Sequence, residues 1–330
     1  MTQLTDKVGM NSVDEGKHMK KILLASTALV LSAGLAQAQG LSISGQGRMG
    51  IQYNSTGIAG GSNYQAESRL QLNFNVSVQG DNGLTFGAYS RARMQTGAPT
   101  GLGGFNVAQP GMFSGSRVWV EASGLRLTIG NTDGALRGPG TAFGYAGGCG
   151  VGYEGGQLCA DSMGLLGVSQ RFNSTGAPTA QRIRVDYTMG DTRVAVSNDR
   201  SGATEVGIRT SFDAWTVALG YTNGNGNAAS GGWAANQAVT TVSAGYNGGS
   251  WSAGVGVAGG GGNTNYVLQG SANMGGGSLY GFVGRVASSA TYGLSYGYGL
   301  GGGATLVAGA ERNTAGAGVT TASLGVVFNF

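Results

Sequence analysis

The chain has 330 residues, 67 of them Gly and only four Pro, with 10% charged residues and a mean hydropathy near zero. Glycine at that level without a G-X-Y period excludes collagen. No run of about 18 apolar residues follows residue 38, which excludes membrane-spanning helices from the body of the chain. The formal net charge of +4 combines two unlike segments. All four Lys and the only His precede residue 39, and residues 39–330 hold 15 Arg against 12 acidic residues. That balance is too small and too scattered to mark a nucleic-acid partner.

Residues 1–18 are polar and read as an upstream extension ahead of a start at Met19. Met19-Lys20-Lys21, the apolar run ILLASTALVL and the Ala36-Gln37-Ala38 site together form a secretory signal peptide over 19–38. Cleavage after Ala38 starts the mature chain at Gln39, and residues 39–330 read as one domain.

From Leu41 the chain alternates with a period of two, the signature of a strand with one apolar and one polar face. LSISGQGRMGIQY sets Leu41, Ile43, Met49, Ile51 and Tyr53 against Ser42, Ser44, Gln46, Arg48 and Gln52. RLQLNFNVSV sets Leu70, Leu72, Phe74, Val76 and Val78 against Arg69, Gln71, Asn73, Asn75 and Ser77. RIRVDYTM, WTVALGY and TYGLSYGYGL repeat the pattern downstream.

Tight turns rich in Gly, Asn and Asp separate these runs at 81–83, 123–124, 190–191, 213–214, 247–249, 275–277 and 301–303. Longer connections fall at 54–65, 96–112, 131–180, 200–203, 223–237, 259–265, 287–290 and 313–318. Seven turns and eight loops imply sixteen strands. Short turns at one end and long loops at the other predict an all-β, antiparallel, up-and-down transmembrane barrel, lipid outside and water inside. Trp215, Trp251, Phe212 and Tyr246 flank the turns, where an interfacial aromatic girdle belongs. The final strand, SLGVVFNF, ends on Phe328 and Phe330, the mark by which outer-membrane barrels are recognised for assembly.

The third connection is by far the longest, and a structureless loop of that length is usually functional. Its central part, 133–163, holds both cysteines, Cys149 and Cys159. In an oxidising periplasm a disulfide is the expected state, the alternative being two unpaired small residues. A short helix and an extra strand stub are both compatible with Leu165–Arg171. No His remains in the mature chain, which removes Ser-His-Asp catalysis and weakens any metal site. No cofactor is expected, and calcium in the loops has little support from the number of acids.

With LSISGQGRMGIQY, RLQLNFNVSVQGDNGLTFGAYSRARMQ, RIRVDYTMGDTRVAVSND and the terminal GVVFNF in place, the mature chain resembles the trimeric sixteen-stranded general porins, in particular the Rhodobacter-type group of alphaproteobacteria. The resemblance implies a homotrimer of separate pores in contact with outer-membrane lipids and lipopolysaccharide, the third loop folded inward as a constriction. It also implies arginines on the wall facing acids on that loop. By strand parity these arginines are Arg48, Arg69, Arg91, Arg93, Arg117 and Arg126, and the acids Glu154 and Asp161, with Asp133 as a further candidate. The bland alternative is that each Arg is simply a solvated lumen residue, and Arg182, Arg184 and Arg193 equally suit the wall away from the constriction. The chain departs from the enteric pattern in lacking a PEFGG-like third loop. Its mature part also has no Lys, so every basic pore group is Arg.

The expected function is a passive channel for small hydrophilic solutes and ions, near-neutral to weakly anion-preferring. The alternative is a structural or adhesive barrel with a plugged lumen. An outer-membrane enzyme is disfavoured by the missing His.

Overall fold

The computed structural model describes residues 39–57, 62–96, 112–137, 149–153, 155, 158–166 and 181–330. The alternating runs form seventeen strand segments. They are β1 (Gln39–Asn54), β2 (Tyr64–Gln79), β3 (Thr85–Thr96), β4 (Met112–Phe113), β5 (Arg117–Ala122), β6 (Leu125–Gly130), β7 (Arg182–Met189), β8 (Thr192–Asp199) and β9 (Thr204–Phe212). The second half holds β10 (Trp215–Thr222), β11 (Val239–Asn247), β12 (Trp251–Gly260), β13 (Asn263–Met274), β14 (Gly277–Val286), β15 (Ser289–Gly301), β16 (Ala304–Asn313) and β17 (Val319–Asn329). β4 and β5 both pair with β3 and are two halves of one interrupted strand, so the barrel has sixteen staves. Every neighbouring pair is antiparallel, and β17 closes the ring on β1, with Met49 opposite Val326 and Gln52 opposite Ser323.

All seven expected turns are present. Two connections expected to be long are not. β12 runs on to Gly260 and β13 starts at Asn263, leaving a two-residue hairpin of Gly261 and Gly262 at φ 55° and 82°. Ala287 and Ser288, at φ 53° and 63°, make a second such hairpin between β14 and β15. Two successive residues at positive φ give the backbone twist that matches paired strands, so pairing continues to the tip.

The barrel is apolar outside and polar inside. On β1, Leu41, Ile43, Met49 and Ile51 are 55–62% exposed while Gln52 is fully buried. On β2, Glu67 and Arg69 are buried beside it. A water-soluble fold would cost too much with that inversion; in a bilayer the exposed face meets lipid instead. Among the described residues no helix is long and apolar enough to cross a membrane, and the crossing is made by strands. The aromatics expected near the turns form one cluster there. Trp215 pairs with Phe212 in register, and Tyr246 lies 5.0 Å from Trp215 and 5.3 Å from Trp251.

The closing seam carries its own packing. Gly45 donates its N–H to the Phe330 carbonyl at 2.7 Å and accepts from the Phe330 N–H at 3.1 Å. The rings of Phe330 and Phe328 lie across Gly45 and Gly47 of β1, where any Cβ would overlap them. An aromatic ring covering a strand glycine is a known way to pin register at a barrel edge. Gly47→Val is therefore expected to cost about 1–3 kcal/mol by overpacking and to reduce the folded, heat-modifiable band on electrophoresis. Gly299→Ala, where a Cβ meets nothing within 4 Å, serves as the tolerated control.

Candidate functional site: the lumen and its inserted loop

With the exception of Glu311, the inward charges of the described strands lie on one half of the barrel wall. Inward positions on β1 to β9 carry Arg48, Arg69, Arg91, Arg93, Arg117, Arg126, Arg182, Arg184, Arg193 and Arg209, with acids interspersed. On β10 to β17 the inward positions hold Gly, Ala, Ser, Thr, Asn, Gln and apolar residues, and the single inward charge is Glu311. Arg285 and Arg312 belong to the outer face of that half.

Two arginine groups occupy the charged half. In the first, neutral amide oxygens hold the guanidinium forks. Arg48 donates to Gln46 at 2.7 Å, Arg69 to Gln95 at 2.9 Å and Arg93 to Gln71 at 2.6 Å. Glu67 lies 3.4 Å from Arg69 and also accepts from Gln52. A glutamine fixes a guanidinium without cancelling its charge. Arg91 and Arg93 share the inward face of β3 as an i, i+2 pair.

In the second group the arginines rest on aromatic rings. Arg117 lies 4.0 Å over the ring of Tyr89, and Arg126 lies 4.2 Å over that of Trp119. The Trp119 ring lies flat across Gly87 of β3, a position where a Cβ would collide with it. Arg126 also pairs with Glu121 at 2.5 Å, a half-exposed contact that contributes little net energy. Next to them Asp186 is shared by Arg184 at 2.6 Å and Arg193 at 2.9 Å. Deeper under the loop, Arg182 pairs with Asp199 at 2.9 Å, with Glu205 3.8 Å away. Burying that triad fixes geometry more than it adds stability.

The third loop enters the lumen from the charged half. β5 and β6 are only six residues long, so the chain leaves the wall partway up at Asn131. Arg184 donates to the carbonyls of Asp133 and Gly134 at 3.3 and 3.0 Å. Ser197 accepts from the Ala135 N–H and Glu205 from the Leu136 N–H, at 2.9 and 2.8 Å. When next described, at Cys149, the loop lies against the opposite wall. Gly152 and Tyr153 donate to Ser295 and Ser323 at 3.0 and 3.1 Å, and Leu158 and Ala160 both donate to the carboxylate of Glu311. β8 and β16 stand eight staves apart in the ring, so the two described parts of the loop sit on opposite walls.

Its landing zone is levelled by small inward residues. Gly50 and Gly325 lie under the Tyr153 ring, and Gly309 meets the backbone of Gly152. Gly256 makes room for Met163. Val151, Met163 and Leu165 then pack with Val267, Phe282 and Trp233 into an apolar cluster inside the barrel.

The disulfide forms between Cys149 and Cys159. Both residues are left-handed, with φ 66° and 46°, so the bridge closes a tightly folded segment. A three-residue 3-10 helix, Ala160–Ser162, follows it. Within that helix Asp161 accepts the N–H groups of Cys149 and Gly150 at 2.5 and 2.9 Å and takes the Tyr280 hydroxyl at 2.7 Å.

The sequence-predicted residues are thus distributed as follows. The six arginines all line the interior face of the first six strand segments. Asp161 is 1% exposed and consumed by backbone amides and Tyr280, so its carboxylate is turned into the loop's docking rather than into open lumen. Asp133 lies on the arginine side, beside Arg184, rather than across from it. Glu154 lies outside the described residues, as do residues 167–171 of the stretch Leu165–Arg171 in which a helix or strand stub is expected. Leu165 and Leu166 are in turns.

Sequence reasoning missed the docking partners Tyr280, Glu311, Ser295 and Ser323. Two signals could have found them: Glu311 is the lone acid of β10 to β17, and Gly or Ser recurs at inward positions of β15 to β17.

A closed barrel with an apolar outside, a charged interior and a long loop packed against its inner walls defines a class, the integral β-barrels of the Gram-negative outer membrane. The family model described as Gram-negative porin matches residues 25–318, and the chain belongs to that family. A protein named porin from Fuscovulum blasticum is 27% identical over 138 residues, a stretch covering 42% of this chain and 43% of that relative. A multiply substituted mutant of Rh. blastica porin superposes with a TM-score of 0.73 at 20% identity, covering 88% of this chain and all of that one. A triple mutant of Rhodopseudomonas blastica porin superposes with a TM-score of 0.72 at 20% identity and the same coverage. At such identity the likeness of structure is a likeness of fold.

Removing the staple with Cys149→Ser and Cys159→Ser is expected to lower stability by about 2–4 kcal/mol, read from the urea midpoint in detergent. Glu311→Leu leaves two loop amides without their acceptor, at about 1–3 kcal/mol each. It is expected to make the loop more sensitive to added protease while the barrel core survives.

Proposed function

We propose that the chain is a general diffusion porin: a water-filled channel for passive passage of small hydrophilic solutes and ions, working as a homotrimer and as a channel rather than a catalyst. The observation that carries this reading is the division of the lumen. One half of the wall is a ladder of arginines held by amides, aromatics and shared carboxylates, and the other is a bed of small residues and one carboxylate that seats a stapled loop. A loop anchored at both walls narrows the passage without needing to move.

Permeation is then governed by the arginine side. Asp161 is spent on loop amides and Asp186 is shared between two arginines, so the acids available to counter the wall are few. Ordered water between fixed charges favours polar solutes over apolar ones, and excess guanidinium charge favours anions weakly. The reading is tested in planar bilayers. Large ohmic steps, grouped in threes, and a reversal potential slightly on the anion side in a KCl gradient are expected. Arg48→Gln with Arg91→Gln is expected to move the reversal potential toward the cation side. Silent insertion favours a plugged structural barrel, and strong cation preference in the wild type removes the weak-anion reading.

A further inference from the structure

We infer that the wall beneath the entering third loop holds a binding station for small aromatic carboxylates. The inference rests on the channel reading above and adds a solute class to it. A cavity of about 320 Å³ opens there, lined by Tyr89, Arg117, Trp119, Arg126, Asp133 and Arg193 among others. That volume suits a single-ring acid.

Three features make it a built site rather than a wet corner of the pore. The first is the aromatic support: Arg117 stacks on Tyr89 and Arg126 on Trp119, at 4.0 and 4.2 Å. Such stacking holds the planar guanidinium fork at a fixed angle and leaves one face of it free. The second is Gly87, which lets the Trp119 ring lie flat on the wall and so sets the level of Arg126 above it.

The third is the local charge. The cavity gathers Arg117, Arg126, Arg184 and Arg193, against Asp133, Asp186 and the neighbouring Glu121. Glu121 is engaged by Arg126, and Asp186 by Arg184 and Arg193. Arg117 makes no ion pair with any described carboxylate, interacts with Asp133 only at longer range, and lines the cavity with its guanidinium. A carboxylate accepts two parallel N–H bonds from one guanidinium, and a flat ring attached to it stacks on the free face of the next. An aliphatic or cationic solute satisfies only one of these demands, or neither.

The test uses the full mature protein in planar bilayers with benzoate as the probe. Benzoate added to KCl is expected to reduce the chloride conductance saturably, and benzylamine at the same concentration is not. Arg117→Gln and Trp119→Leu are each expected to raise the half-inhibiting benzoate concentration at least fivefold, read against each variant's own conductance. Arg200→Gln, an exposed loop change outside the lumen, is expected to leave that concentration unaltered. Block that does not saturate, equal block by benzylamine, or an unchanged half-inhibiting concentration in Arg117→Gln overturns the station while the pore stands. A protein that inserts without conducting overturns the pore reading itself.

Discussion

A bilayer offers no hydrogen bonds, and the rest of this structure depends on that constraint. Each unpaired N–H or C=O in hydrocarbon costs several kcal/mol, so a strand-built protein must close on itself. Closure here falls between β1 and β17 and is sealed by Phe328 and Phe330 over two glycines. The terminal residue of the chain is thus itself part of the ladder, exchanging both backbone bonds with Gly45. A ring closed by backbone pairing leaves the side chains of one parity to lipid and the other to water. That parity is why a chain with so few charges can still line a polar interior.

Within the ring the two half-walls have different tasks. The half from β1 to β9 gathers charge, and its arginines are held in three distinct ways: by amides, by aromatic rings and by shared carboxylates. Each way leaves a different residue of charge. Glutamine leaves the cation whole, an aromatic ring leaves it whole and oriented, and a carboxylate such as Asp186 cancels much of it. The half from β10 to β17 gives up charge for smoothness. Its inward glycines and serines admit the loop's backbone to hydrogen-bond distance, and one carboxylate, Glu311, gathers two loop amides.

The third loop joins these halves. Its first leg is latched by Arg184, Ser197 and Glu205, and its stapled second leg is docked by Ser295, Tyr280 and Glu311. Asp161 illustrates the economy of such a site. A carboxylate in a constriction loop invites a reading as a pore charge. Yet two free amides created by the left-handed turn at Cys149 lie within its reach, and a buried amide left unpaired costs more than a surface charge gains.

The sequence by itself determined the staves and most of the turns, because a period of two and Gly, Asn or Asp at tight turns are local signals. It also assigned Arg48, Arg69, Arg91, Arg93, Arg117 and Arg126 to the inner face, since parity is set strand by strand. Cysteine count and compartment were enough to anticipate the disulfide. The sequence did not show that Gly261-Gly262 and Ala287-Ser288 are two-residue hairpins, because pairing on the flanking strands decides how far a ladder runs. Only the tertiary structure decided where the acids of the third loop go. Asp133 and Asp161 lie 28 positions apart in one loop, yet the first ends beside Arg184 and the second under Tyr280 on the far wall. Their partners come from strands distant in sequence, and only closure of the barrel brings those strands around the loop.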